Sequence, residues 1–210
     1  MVGTADTTSV STNNDAVLFS GTDHILHITA DSNVTKGVSN MKAILLAINH
    51  AYLFFGTTLY VGILWSLRFF WFPSWTKLRV DNYFDQFVPQ TDAATAFFTI
   101  VVPIMFISII VMAIAEWKTS YRWVPLSAFV FLGSATYVGT MHIIPVNKIL
   151  KQTITDQARL TELMLKWMSL NDIRWVLLTL MWLVLMYYFL AKGNMFTLPS
   201  GNPASTGESR

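Results

Sequence analysis

Four long stretches of this chain contain no Asp, Glu, Lys or Arg. They run from Ala43 to Leu67, from Ala93 to Ala115, from Trp123 to Asn147 and from Trp175 to Ala191. A charged side chain at the centre of a bilayer costs about 2.5–3.5 kcal/mol on insertion scales, so long charge-free stretches locate membrane spans. An α-helix needs about 20 residues to cross about 30 Å of hydrocarbon. We therefore predict an all-α fold, a bundle of four transmembrane helices.

The composition agrees with a chain whose main partner is the lipid bilayer. Charged residues make up 12% of the sequence and hydrophobic residues 53%, whereas soluble domains carry about 25% charged residues. There is no cysteine, which excludes disulfides, thiolate metal sites and thiol catalysis. The Lys and Arg residues are spread along the chain rather than clustered with aromatic residues, and this argues against a nucleic-acid partner.

The chain divides into a polar N-terminal tail (1–40), a transmembrane domain (41–192) and a flexible C-terminal tail (193–210). We place the four spans at about 43–67, 93–115, 123–147 and 170–191. The fourth helix extends beyond the membrane, because the preceding segment already has helical periodicity. Eight basic residues near the spans lie in the two longer connections and five on the other side. That bias favours a multi-pass protein with both termini on the non-cytoplasmic side.

One face of the extended fourth helix combines apolar residues with two strongly polar ones. At about 100° per residue, this face is formed by Leu160, Met164, Trp167, Asn171 and Arg174. We expect Asn171 and Arg174 to meet polar groups inside the bundle, since they share a stripe that favours burial. Two interpretations remain open. The pair holds the unpaired carbonyls where the third helix ends, near Pro145 and Asn147, or it binds a substrate, an anion or a cofactor.

Histidine is the other candidate for chemistry. His142 lies five residues inside the third charge-free stretch, where it could act as a general base or serve only in packing. His50 has a similar position in the first stretch, and the two would form half of a metal site if they faced each other across the bundle. The tail sequence "DHILH" places Asp23, His24 and His27 together. It is the only local spacing that resembles a metal site, and a solvated tail is the alternative.

The motif "PVNKIL", followed by "WMSLNDIR", resembles a family of small four-helix membrane proteins that includes the fungal anthrone oxygenases. The positions that match the family pattern are Pro145, Asn147, Leu150, Trp167, Asn171 and Arg174. "GTTLYVGILW" in the first helix, with Pro73 soon after it, also looks like the family's opening. The resemblance covers roughly residues 43 to 191. A fainter likeness links the first helix to the membrane domain of bacterial urate oxidases, which would give His50 a role.

The family resemblance implies a dioxygen-dependent oxidation. Anthrone oxygenases convert an activated CH₂ to a carbonyl, apparently without a standard organic cofactor, although a metal is not excluded. Such chemistry needs a base and needs donors that hold the resulting enolate. His142, which is not one of the motif positions, is the candidate base. The resemblance implies a substrate-binding or structural polar cluster formed by Asn147, Trp167, Asn171 and Arg174.

Two functional hypotheses follow from these observations. The first is an oxidase or oxygenase of a small hydrophobic or aromatic molecule. The second is a non-catalytic subunit that packs against a larger membrane complex or a second copy of the chain; the lack of a carboxylate–histidine cluster favours it. A cavity lined by His142, Asn147 and Arg174 would support the first. Closure of these side chains on backbone carbonyls would exclude it.

Overall fold

The predicted all-α fold is confirmed by the computed structural model. The structure describes the backbone of residues 20–193 and the side chains of residues 37–193, and it contains no strand in that part of the chain. The helices are α1 (Ser20–Ser66), α2 (Phe72–Trp75), α3 (Tyr83–Glu116), α4 (Trp123–Val138), α5 (Ile144–Leu150) and α6 (Gln157–Lys192). Two π-helical turns, Leu67–Trp71 and Gly139–Ile143, join α1 to α2 and α4 to α5.

Among the residues that the structure describes, four helical segments are long and apolar enough to cross a membrane. They are Gly37–Trp75, Tyr83–Glu116, Trp123–Leu150 and Gln157–Lys192. The chain is therefore a multi-pass membrane protein built on a four-helix bundle. The 36 residues of α6 span about 54 Å, so this helix is longer than the bilayer is thick, as predicted.

The helices continue beyond the predicted spans. Three of those spans, about 43–67, 93–115 and 123–147, had been bounded at the first charged residue. The second span shows this: α3 begins at Tyr83, ten residues before Ala93, and it includes Asp85, Pro89 and Asp92. A helix that leaves the hydrocarbon can continue through the interface, where charged side chains reach water.

The first helix also begins earlier than predicted. Residues 20–40 of the expected polar tail are helical in α1, although the chain divides into two compact units after Leu45. No proline interrupts these residues, and ordinary polar residues lower helix propensity by only up to about 0.7 kcal/mol each. The side chains of "DHILH", the start of the tail and the C-terminal tail after Gly193 lie outside the described residues.

Two apolar clusters form the core of the second unit. The first joins α1, α3, α4 and α6, and its fully buried members include Leu53, Met105, Ile109, Leu132, Leu178 and Met181. The second lies around α2, the start of α3, α5 and the first half of α6, and it includes Phe72, Trp75, Phe87, Leu150, Leu160 and Trp167. A cavity inside the bundle, described below, is lined by residues from both clusters.

A buried carboxylate connects the helices at the other end of the bundle. Glu116, the last residue of α3, is 2% exposed. Its Oε1 accepts hydrogen bonds from the Tyr188 hydroxyl at 2.7 Å and from the Lys192 ammonium, and its Oε2 accepts one from Thr119 at 2.7 Å. The edge-to-face contact between Tyr188 and His50, 5.6 Å between ring centres, adds α1 to this junction. Four chain segments thus meet around Glu116 and its partner Tyr188.

We predict that Glu116→Ala lowers the free energy of unfolding by about 1–3 kcal/mol, because the buried Tyr188 hydroxyl loses its acceptor. The measurement is thermal unfolding in detergent micelles, followed by circular dichroism. Glu162→Ala is the control: Glu162 pairs with Arg159 at the surface, and such pairs contribute about 0–1 kcal/mol. Equal losses for the two variants would contradict the assigned role of Glu116.

Candidate functional site

A cavity of about 560 Å³ lies inside the bundle, and all four spans contribute to its wall. This volume is in the usual range for small-molecule sites. Its aromatic wall residues are Trp71, Trp75, Phe98 and Trp167. Its strongly polar ones are Tyr60, Gln90, Asn147, Asn171 and Arg174. The cavity therefore suits a mainly apolar ligand that carries a few polar atoms.

The predicted inward face of α6 is confirmed and supplies one side of this cavity. Leu160, Met164, Trp167 and Asn171 are all 4% exposed or less, and Arg174 lies one turn further along the same face. The last three residues of this stripe, Trp167, Asn171 and Arg174, lie in the cavity wall. Asn147, near the end of the third span, joins them from α5.

Hydrogen bonds fix the two strongly polar side chains of α6. Asn171 Nδ2 donates to the Trp167 carbonyl of its own helix at 2.9 Å, and its Oδ1 accepts from Arg174 Nη1 at 3.0 Å. Arg174 Nη2 donates to the Tyr60 hydroxyl of α1. The interpretation that Asn171 and Arg174 hold the carbonyls at the end of the third helix is therefore wrong.

Arg174 carries a positive charge that no carboxylate balances within 4 Å among the described residues. Two of the five guanidinium N–H groups have acceptors, in Asn171 and Tyr60, which leaves three without one. The nearest acidic neighbour on α6, Asp172, pairs instead with Arg68 at 3.1 Å. A cation in this state attracts an anionic or strongly polarised oxygen.

Tyr60 holds Arg174 in position and Gly139 lies beside it; Tyr60 was not predicted as a site residue from the sequence. Tyr60 is 2% exposed, stacks on Phe98 with ring centres 4.0 Å apart, and lies under the Arg174 guanidinium at 5.4 Å. A Cβ atom at Gly139 would lie 3.8 Å from both Cζ and Nε of Arg174. The signal that could have found Tyr60 is the spacing of the buried residues Leu53, Thr57, Tyr60 and Leu64 on α1.

Three side-chain atoms of the cavity wall are buried without a hydrogen-bond partner. They are Asn147 Oδ1, Trp167 Nε1 and Arg174 Nε. Buried polar groups are paired in the large majority of cases, so three such atoms in one wall need an explanation. A bound molecule with an accepting oxygen and a hydroxyl group could supply partners after small side-chain rotations.

The structure does not bring either candidate histidine to this cavity. His142 is exposed, meets the edge of the Tyr137 ring at 5.8 Å between ring centres, and does not line the cavity. His50 packs on Tyr188, which lies fourteen residues after Arg174, hence about 20 Å along α6. His50 and His142 are thus at opposite ends of the bundle, and the described residues contain no group of three metal-ligating side chains.

Among known proteins, no family model, no curated protein and no solved structure matches this chain. The cavity wall indicates which ligands the protein can bind. An apolar, aromatic wall excludes most water from a bound ligand, and this strengthens the electrostatic interaction of Arg174 with a ligand oxygen. The arrangement can therefore bind a mainly apolar molecule that presents an oxygen to Arg174.

We predict that leucine substitutions at the two asparagines of the cavity wall differ in their effect on the free energy of unfolding. Asn147→Leu leaves the free energy of unfolding unchanged or raises it, since Asn147 Oδ1 has no partner to lose. Asn171→Leu lowers it by about 1–3 kcal/mol, because the Trp167 carbonyl and Arg174 each lose a partner. Thermal unfolding in detergent measures both. A larger loss for Asn147→Leu than for Asn171→Leu would contradict the assigned contacts.

Proposed function

We propose that this chain is a membrane-embedded oxidase of a small aromatic ketone of the anthrone class, which it holds as an enolate for reaction with dioxygen. The observation that carries the proposal is the Arg174 guanidinium, which has no carboxylate partner among the described residues and lines a mainly apolar cavity. The resemblance to the anthrone oxygenase family supports it, because Asn147, Trp167, Asn171 and Arg174 are motif residues and wall residues alike.

The role of Arg174 is to stabilise the negative charge that develops on the substrate oxygen. When a CH₂ group next to a carbonyl loses a proton, the charge spreads to that oxygen, and a fixed donor in a water-poor cavity stabilises it strongly. Asn171 and Tyr60 hold the guanidinium in place, so little reorganisation is needed as the charge forms. The indole N–H of Trp167 is a second available donor.

The overall reaction is R₂CH₂ + O₂ → R₂C=O + H₂O. The enolate carbon gives electrons to dioxygen, one oxygen atom enters the product as the new carbonyl, and the other leaves as water. The described cavity wall contains no histidine, aspartate or glutamate. In this proposal the substrate proton therefore passes to water, and His142 takes no part as a base.

The proposal also includes the orientation predicted from the basic residues, with both termini outside the cytoplasm. The wall residues Trp71, Trp75 and Gln90 belong to the first long connection or to the start of α3, and Trp167 lies between the third and fourth charge-free stretches. These are the connections that carry more basic residues, so the cavity would lie in the cytoplasmic half of the membrane.

We predict that Arg174→Gln lowers the rate of oxidation of a dihydroxyanthrone about 100-fold, as expected for the loss of an oxyanion donor. The assay follows oxygen uptake and quinone absorbance with purified protein in vesicles, against protein-free vesicles because anthrones also oxidise spontaneously. Arg159→Gln, which removes a surface arginine, is the control and should leave the rate unchanged. A wild-type rate equal to that of protein-free vesicles would contradict the oxidase and leave the accessory-subunit hypothesis.

We predict that Trp167→Phe weakens binding of a dihydroxyanthraquinone about 2- to 10-fold, because the ring remains but one N–H donor is lost. The product-like quinone is stable and quenches tryptophan fluorescence, so a titration gives the dissociation constant. Trp117→Phe is the control, since Trp117 is 60% exposed and does not line the cavity. Unchanged binding by Trp167→Phe would show that the indole N–H does not contact the ligand.

A further inference from the structure

The cavity reaches the surface of the bundle along the side where α3 faces α4 and α5. Four wall residues on this side are also exposed: Thr95, Thr99 and Pro103 on α3, and Thr140 in the second π-helical turn. A residue that both lines a cavity and is exposed marks a place where the cavity opens. We call this place the lateral opening and define it by these four residues. Trp71 and Gln90 also line the cavity and are exposed, but they lie outside the charge-free stretches.

We call the line along which α3 packs against α4 and α5 the seam. Contacts between these helices close the seam on both sides of the lateral opening. On one side Asp92 of α3 forms an ion pair with Lys151, next to the end of α5. On the other side Phe106 of α3 meets Phe129 of α4 edge to face, with ring centres 5.6 Å apart. The opening is therefore a limited gap in an otherwise packed seam.

The depth of the lateral opening places it in hydrocarbon. Thr99 lies six residues after Ala93, where the second charge-free stretch begins, and Thr140 lies seven residues before Asn147, where the third one ends. At 1.5 Å per residue these distances are about 9 and 10 Å. Two neighbouring antiparallel helices thus present the opening at the same depth inside the membrane.

The polar groups at the lateral opening are compatible with contact to lipid. The hydroxyls of Thr95, Thr99 and Thr140 donate to the carbonyls of Thr91, Thr95 and Thr136 in their own helices, at 2.7, 2.7 and 3.0 Å. A hydroxyl in hydrocarbon is costly unless it is hydrogen-bonded, and these three are satisfied. A ligand that passes them meets methyl groups rather than free donors.

Both helices are irregular at this point. Pro103 has no N–H and so cannot bond the carbonyl of Thr99, four residues before it. The π-helical turn Gly139–Ile143 widens the facing helix, and such turns occur often at functional sites. The two irregularities border the same opening, which keeps the seam from packing tightly there.

We propose that the ligand enters and leaves the cavity through the lateral opening, directly from the lipid bilayer. This inference rests on the proposed function and narrows its substrate class. The substrate is an uncharged, lipophilic aromatic molecule dissolved in the membrane, and it becomes an anion only after it reaches Arg174. A water-soluble anion would not partition to this depth.

The test measures how fast a dihydroxyanthraquinone binds the protein. The quinone is dissolved in vesicle lipid and rapidly mixed with the protein, and quenching of tryptophan fluorescence reports binding. Thr99→Trp and Thr140→Trp narrow the opening, and we expect both the association and the dissociation rate to fall about tenfold, as for binding slowed by a closed conformation. The matched controls are Ile100→Trp and Met141→Trp. Their parent residues are exposed neighbours on the same helices that do not line the cavity, and the rates should not change.

A reversible block separates the effect of the opening from a folding defect. The chain has no cysteine, so Thr99→Cys can be labelled with a benzyl methanethiosulfonate reagent that closes the opening and is removed by dithiothreitol. We expect slow binding after labelling and normal rates after its removal. Ile100→Cys, labelled in the same way, should bind at the normal rate.

Gln90→Trp distinguishes the lipid route from a route through water, because Gln90 lines the cavity outside the charge-free stretches. Slow binding by Gln90→Trp together with normal rates for Thr99→Trp and Thr140→Trp would overturn the lateral route while the proposed function stands. Faster dissociation of the ligand from Thr99→Trp, without slower association, would also overturn it, since Thr99 would then be only a wall contact. No quenching of the wild-type protein would overturn both proposals.

Discussion

The placement of one cation, Arg174, is the constraint on which the candidate site depends. A guanidinium inside a membrane bundle is costly, and its position is maintained by Asn171 on its own helix and by Tyr60 on α1. Neither partner removes the charge. The bundle thus keeps a positive charge beside a mainly apolar space. Such a charge favours a ligand with an anionic or strongly polarised oxygen.

The irregular parts of the third span meet the same space. Gly139, which lies beside the Arg174 guanidinium, begins the π-helical turn, and Asn147 follows it in α5. Two sequence segments, one around Asn147 and one around Asn171, thus contribute to the wall of one cavity. The junction at Glu116 lies at the end of the bundle far from the cavity. Near the cavity, Asn171, Arg174 and Tyr60 both line the wall and connect α6 to α1.

Charge and helical period act locally, so they predicted the four apolar helices and the inward face of α6. The grouping of Asn147 and Trp167 with Asn171 and Arg174 came from the family resemblance. Sequence patterns did not predict Tyr60, since its role depends on which face of α1 meets α6. His142 was singled out only by its depth in the third charge-free stretch, and depth does not tell which side of a helix a residue lies on. In the structure His142 is exposed. Helix ends were missed because charged residues stop a hydropathy stretch but not a helix.

Binding of a ligand oxygen by Arg174 and Trp167 can be observed by nuclear magnetic resonance of the ¹⁵N-labelled protein in detergent micelles, during titration with a dihydroxyanthraquinone. We expect the Nε–H signal of Arg174 and the indole N–H signal of Trp167 to shift strongly and in parallel as the ligand binds, whereas those of Arg159 and Trp117 should not move. A ligand that binds without shifting the Arg174 and Trp167 signals would contradict this role of the two side chains.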